Sequence, residues 1–195
     1  MNYLAHLALS HFSADLQVGN YLGDVLRGGE VSALPPEIRR GVILHRAIDR
    51  LTDADPDVRE VNRLLASRHG RYAPVLSDIA FDHFLCRNWT VVMPTAFAPF
   101  CQHTYAALRA GKPHMPPRAA RYVEAMTDDD WLALYTTTAG MRQVFARLRS
   151  RLSRPELLTG INGSLQEFAP AFNRAFLLLF PRLQALAATY RESTH

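Results

Sequence analysis

The chain has 195 residues, 48% of them hydrophobic, and a formal net charge of +4. That length suits one domain with a substantial core, and no run of eighteen apolar residues offers a membrane span. The two cysteines, Cys86 and Cys101, lack metal-type spacing and fit unpaired thiols in a reducing cytoplasm, with a single bridge left open. The opening stretch has no cationic start and no small-residue cleavage site, so it reads as mature protein.

Helical periodicity dominates, and β-branched runs are as short as Trp89–Met93. The spacing predicts helices over 2–12 and 15–27, the second stopped by Gly28 and Gly29. A third begins at Pro35 or Pro36, with Glu37 at its positive end, and Pro56 limits its length. A fourth covers 57–69, ending near Gly70, and a fifth 74–89. One more near 96–110 leads into the proline-rich loop 110–118. Helices near 119–126, 128–151 and 164–190 complete the chain, with Pro170 and Pro181 cutting or kinking the last. The fold class is all-α: one helical bundle over residues 1–195.

Charge is uneven. Residues 1–100 hold ten Arg against eleven acids, and residues 101–195 hold twelve bases against seven acids. Only Lys112 among the 22 basic residues is a lysine. Arginine favours bidentate contact with carboxylates and phosphates, which points to an acidic or phosphorylated partner; biased base composition is the competing account. A net charge this modest, on dispersed residues, argues against nucleic acid.

Polar residues stand on faces their neighbours mark as inward. In "SDIAFDHFLCRNW", Asp82 shares a sector with Ile79 and Cys86, Asp78 lies on its flank, and His83 projects from the other flank. In "PEIRRGVILHRAID", His45 and Asp49 continue the stripe of Ile38 and Val42. Asp24 sits where a carboxylate opposes the helix dipole, so it needs a stabiliser: a cation, Arg27 or Arg46. An inward carboxylate costs several kcal/mol unless paired or bound to a cation. Asp24, His45, Asp49, Asp78, Asp82 and His83, with His6 near in sequence, therefore form a candidate metal set; pairing of the acids with arginines is the alternative. Mixed imidazole and carboxylate donors suit Mn²⁺, Fe²⁺, Mg²⁺ or Zn²⁺. His11, His69, His103, His114 and His195 are scattered without ligand spacing.

The blocks "MNYLAHLALS", "GNYLGDVLRG", "LPPEIRRGVILHRAIDRLTDADPDVRE" and "DIAFDHFLCRNW" resemble, in order and spacing, the acyl carrier protein phosphodiesterase (ACP hydrolase) family. The likeness is dense over 1–89 and thins afterwards. It implies a cytoplasmic, metal-dependent enzyme that hydrolyses the phosphodiester joining 4′-phosphopantetheine to the serine of holo-acyl carrier protein. The metal that the resemblance implies is Mn²⁺, with Mg²⁺, Fe²⁺ or Co²⁺ as substitutes. A looser likeness to HD phosphohydrolases is complicated by the Asp82–His83 order. By motif, Asp24, His45, Asp78, Asp82 and His83 are the expected metal ligands, Asp49 a further ligand or an orienting group, and Asp53 part of the same block. Gly23 replaces an alanine of some relatives and is not expected to disturb the site.

The expected mechanism uses metal-activated water, with His6 as general acid for the leaving serine and Arg46 offsetting phosphoryl charge or pairing with Asp49 or Asp53. Carrier proteins are acidic, so Arg27, Arg39, Arg40, Arg50 and Arg59 are candidate docking residues. Two alternatives compete: an HD-like phosphohydrolase acting on a nucleotide or other small phosphoester, and a helical binding module whose inward acids pair with arginine.

Overall fold

A computed structural model describes residues 1–192; His195 lies outside the described residues. The chain is all-α, with no strand among the described residues. It opens with α1 (Tyr3–Leu9), α2 (Ala14–Leu22), the single turn α3 (Gly29–Ser32) and α4 (Pro36–Ala54). Ser13 starts α2 by accepting the amide of Leu16, and Pro36 starts α4, where a missing N–H costs nothing. Helix α2 gives way to turns at Gly23, earlier than the expected stop at Gly28 and Gly29.

Helices α2 and α4 touch backbone to backbone. A Cβ at Gly19 would stand 1.9 Å from the carbonyl oxygen of Ile38, and one at Gly41 would stand 2.4 Å from that of Leu16. Glycine at both positions is what permits the approach. One turn on, Gly23 lies against His45, so the two helices run in the same direction.

Asp55 accepts the amides of Asp57 and Val58 and, with Pro56, starts α5 (Pro56–His69). Then come α6 (Ala73–Arg87), the short α7 (Trp89–Val92), α8 (Phe97–Ala110) and α9 (Pro117–Asp128). The single helix expected over 128–151 is divided. Asp130 adopts a left-handed conformation (φ 47°), a 3₁₀ stretch follows at Trp131–Thr136, and Thr137 caps α10 (Thr138–Arg149). The last expected helix is also divided, into α11 (Ile161–Glu167) and α12 (Ala169–Glu192), with Pro170 in the first turn of the second. Pro181 stays inside α12 on its exposed side, where water can satisfy the freed carbonyl of Leu177.

One apolar core runs from Met1 to Ala187. Its densest part joins α6 to α12: Phe84 stacks on Phe172 at 5.7 Å, and Phe81 meets the same ring edge-on at 5.6 Å. Each buried phenylalanine contributes about 2 kcal/mol. Cys86 and Cys101 are free thiols within it. This core fixes α1, α2, α4 and α6 around one end of the bundle, where the polar residues collect.

Candidate metal centre and its clefts

His45 projects from α4 toward the end of α2. Its Nδ1 lies 2.7 Å from the backbone oxygen of Asn20, an end-of-helix carbonyl with spare acceptor capacity. A carbonyl only accepts, so Nδ1 carries the hydrogen and Nε2 presents a lone pair. Gly23 makes room: a Cβ there would lie 2.1 Å from His45 Cγ. An alanine at this position would displace the ring, so the glycine leaves the site undisturbed.

His6 is set by the same residue. Its Nδ1 lies 2.8 Å from Asn20 Oδ1, while Asn20 Nδ2 donates to the carbonyl of His6 and to Ser10 Oγ. The Asn20 oxygen must therefore accept, and His6 Nε2 is also left with a lone pair. The two imidazoles stack 3.9 Å apart, and each is only 3% exposed.

Both lone pairs meet carboxylates. His6 Nε2 lies 3.2 Å from Asp49 Oδ1; His45 Nε2 lies 3.0 Å from Asp49 Oδ2 and 3.2 Å from Asp24 Oδ1. Four acceptor groups thus converge with no donor among them. A proton relieves part of this. Burial disfavours a charged His45, but its contacts with Asp24 and Asp49 outweigh that and lift it to about 9. Burial pushes His6 the other way, below the usual histidine range, and the neighbouring His45 adds to the effect against Asp49. His6 therefore stays neutral, and its Nε2 is buried without a hydrogen-bond partner of good geometry. Asp24 is held below the usual carboxylate range by its bond to His45. Burial would raise Asp49, yet His45 and His6 draw it well below that range.

A divalent cation would satisfy all of these groups. Ligand atoms of His6, His45 and Asp49 lie within 4.8 Å of one another. The nitrogen and oxygen donors, two of them locked in the right tautomer by Asn20, fit a hydrolytic metal ion. His6, the expected general acid, belongs to this cluster and lines neither cleft beside it. Asn20 was missed from the sequence, although a lone amide inside "LQVGNYLG" is the kind of signal that could have found it.

The other expected ligands are outside the group formed by His6, His45 and Asp49. Asp82 is fully buried, and its two oxygens accept the amides of Leu4 (2.8 Å) and Ala5 (3.0 Å). It anchors the N-terminus of α1 instead of reaching the histidines. Asp78 accepts from the α-amino group of Met1 at 2.8 Å. His83 Nδ1 donates to the Tyr135 carbonyl at 2.7 Å, and the ring borders a separate small pocket with Arg87 and Gln166. Asp53 stands beside Asp78; burial, then the charges of Asp78 and Asp49, raise its carboxyl above the usual range.

Arg46 does not reach the cluster. Its Nη2 lies 3.5 Å from the Leu26 carbonyl, and among the described residues it pairs with neither Asp49 nor Asp53. Arg40 binds Glu37 and the Tyr190 carbonyl, and Arg59 the Asp53 carbonyl. Of the five docking candidates only Arg27 lines a cleft at the site; Arg39 and Arg50, like Arg40 and Arg59, do not.

Two clefts open beside the cluster. The first, about 570 Å³, has Asp49, Asp53 and Asp78 at one end and an apolar wall including Met126, Leu134, Val144 and Leu148. The second, about 620 Å³, contains Arg27 and Arg118. Tyr3, Asp24, Tyr122 and Arg151 border both. The arginines from the C-terminal half reach the site only by tertiary packing, so no local pattern announced them.

The acyl carrier protein phosphodiesterase family model matches residues 1–183. Proteins named acyl carrier protein phosphodiesterase from Salmonella dublin, Salmonella newport and Salmonella enteritidis are each 32% identical over 189 residues, covering 96% of this chain and 98% of theirs. No solved structure matches the chain.

Proposed function

Because the chain belongs to the acyl carrier protein phosphodiesterase family, we propose that His6, His45, Asp49 and Asp24 hold its catalytic divalent ion. The protein is a hydrolase that cleaves the phosphodiester between 4′-phosphopantetheine and the carrier serine, giving apo-carrier and 4′-phosphopantetheine. Water supplies an oxygen to phosphorus, the bond from phosphorus to the serine oxygen breaks, and that oxygen leaves with a proton.

One observation carries the metal assignment: two imidazole lone pairs and two carboxylates face one another with no donor between them. When bound, a divalent ion acidifies water and draws charge from the phosphoryl oxygens. The remaining work falls to the chain. Asn20 holds both imidazoles in the ligating tautomer, Asp49 spans the two rings, and Asp24 closes the set on the solvent side. Two imidazoles with carboxylates suit Mn²⁺, with Fe²⁺ or Co²⁺ as substitutes, better than Mg²⁺. A cytoplasmic setting and any kinship with HD phosphohydrolases rest on the sequence resemblance; no described helix is long and apolar enough to cross a membrane.

The test incubates purified protein and Mn²⁺ with holo-carrier protein and, separately, with a nucleotide panel. Release of 4′-phosphopantetheine from the carrier, detected by mass, supports the reading. Turnover of nucleotides alone would replace it with a small-molecule phosphohydrolase.

A further inference from the structure

The scissile phosphodiester has two unlike halves. The pantetheine arm is long, thin and uncharged beyond its phosphate. The carrier protein is bulky and acidic. The two clefts beside the cluster differ in the same way. The first holds Asp24, Asp49, Asp53 and Asp78 against Arg147, Arg151 and the α-amino group of Met1, which pairs with Asp78. The second holds Arg27, Arg118 and Arg151 against Asp24 alone.

On the function proposed above, we infer that the pantetheine arm lies along the apolar wall of the first cleft while the carrier protein docks over the second. An acidic protein approaching the first cleft would meet Asp53 and Asp78 beyond the proposed metal ligands, and neither lines the second. A volume of about 570 Å³ falls within the roughly 300–1,000 Å³ usual for small-molecule sites. Val144 and Leu148, both half-buried, offer that arm apolar contact.

Arg151 marks the junction. It borders both clefts, and its guanidinium lies over Tyr122 at 5.4 Å and donates to that residue's hydroxyl. It pairs with no carboxylate among the described residues, so its charge is available to a phosphodiester held between the clefts. Arg118, which donates to the Val25 carbonyl, and Arg27 extend the positive surface outward. The orientation follows: serine oxygen toward the arginines, pantetheine oxygen toward the apolar wall.

The two products separate the halves, so each can be titrated alone against the Mn²⁺-loaded protein. Val144→Phe, which narrows the first cleft, should weaken 4′-phosphopantetheine binding by about tenfold and leave apo-carrier within about twofold. Arg27→Glu with Arg118→Glu should do the reverse, by similar factors. Should Val144→Phe fail to fold, Leu148→Gln keeps the volume and removes apolar contact, with the same expected loss. A swapped pattern, or equal effects of each variant on both ligands, overturns the orientation. Hydrolysis of holo-carrier by the unaltered protein is measured alongside. If it is present, a swapped or uniform pattern removes only the orientation; if it is absent, the proposed function itself fails and the orientation with it.

Discussion

The rings of His6 and His45 stack 3.9 Å apart and 14° from parallel, and both turn Nε2 toward the single carboxylate of Asp49. Stacked imidazoles at this distance repel if both are charged, so protons alone cannot relieve the four converging acceptors. A divalent ion is the simplest occupant that can.

Metal should therefore stabilise the fold. At a hundredfold excess over its dissociation constant, Mn²⁺ adds about 2.7 kcal/mol. For a chain this size, that raises the melting temperature by about 5 °C or more. EDTA should reverse the shift, and His45→Ala should abolish it. A melting curve indifferent to Mn²⁺ and EDTA would favour a non-enzymatic helical module.

Binding should depend on pH with a defined sign. In the metal-free protein His45 is lifted to about 9, above its ordinary value. That protonation stabilises the fold fully below about pH 6.5 and is lost as pH rises through about 9. Metal must displace the proton. Between about pH 7 and 9, affinity should rise about tenfold per pH unit, with one proton released. Calorimetry in buffers of different ionisation enthalpy measures both; a pH-independent affinity would contradict it.

Asp82 and His45 should separate stability from metal binding. Asp82→Asn turns an amide nitrogen toward one of the two backbone N–H groups that the carboxylate now satisfies, costing about 1–3 kcal/mol. Mn²⁺ affinity should be unchanged. Burial, against the two amide bonds, also pushes Asp82 up to about 7. Its contribution is fully present below about pH 4 and lost as pH rises through about 7, and the asparagine variant should lack that slope. Loss of metal with Asp82→Asn would return this residue to the ligand set.

Gly23→Ala should act only at the cluster. The added methyl overlaps His45, so Mn²⁺ affinity should fall by about tenfold or more while far-ultraviolet circular dichroism is retained. Unchanged affinity would show that α2 and α4 separate easily, against the tight contact at Gly19 and Gly41.

Salt should weaken the encounter with the carrier, not the chemistry. Exposed arginine contacts are screened over about 8–10 Å near physiological ionic strength. Raising salt should therefore increase KM with kcat little changed. A salt-indifferent KM would remove the electrostatic role of Arg27 and Arg118.

Inwardness was legible in the sequence; what an inward group does was not. Periodicity puts His45 on the stripe of Ile38 and Val42 and Asp82 on a buried face, where both are buried, while Asp49 on the same stripe is only partly buried. Yet a carboxylate serving a helix N-terminus has the same pattern as one facing a metal. Asp82 and His83 are neighbours in sequence, and they diverge to the start of α1 and to the 3₁₀ stretch. His6 was placed beside the set and not within it, because its partners are Asn20, on another helix, and Asp49, farther still along the chain. The divided helices had a fainter signal: "TDDDW" breaks at a left-handed Asp130, a conformation aspartate tolerates better than most residues.

The most direct measurement is anomalous diffraction from crystals grown with Mn²⁺. The expected result is a peak bound by His6 Nε2, His45 Nε2 and Asp49, with Asp24 beside it. A peak at Asp82 or His83, or no peak with the two imidazoles still facing Asp49, would contradict it.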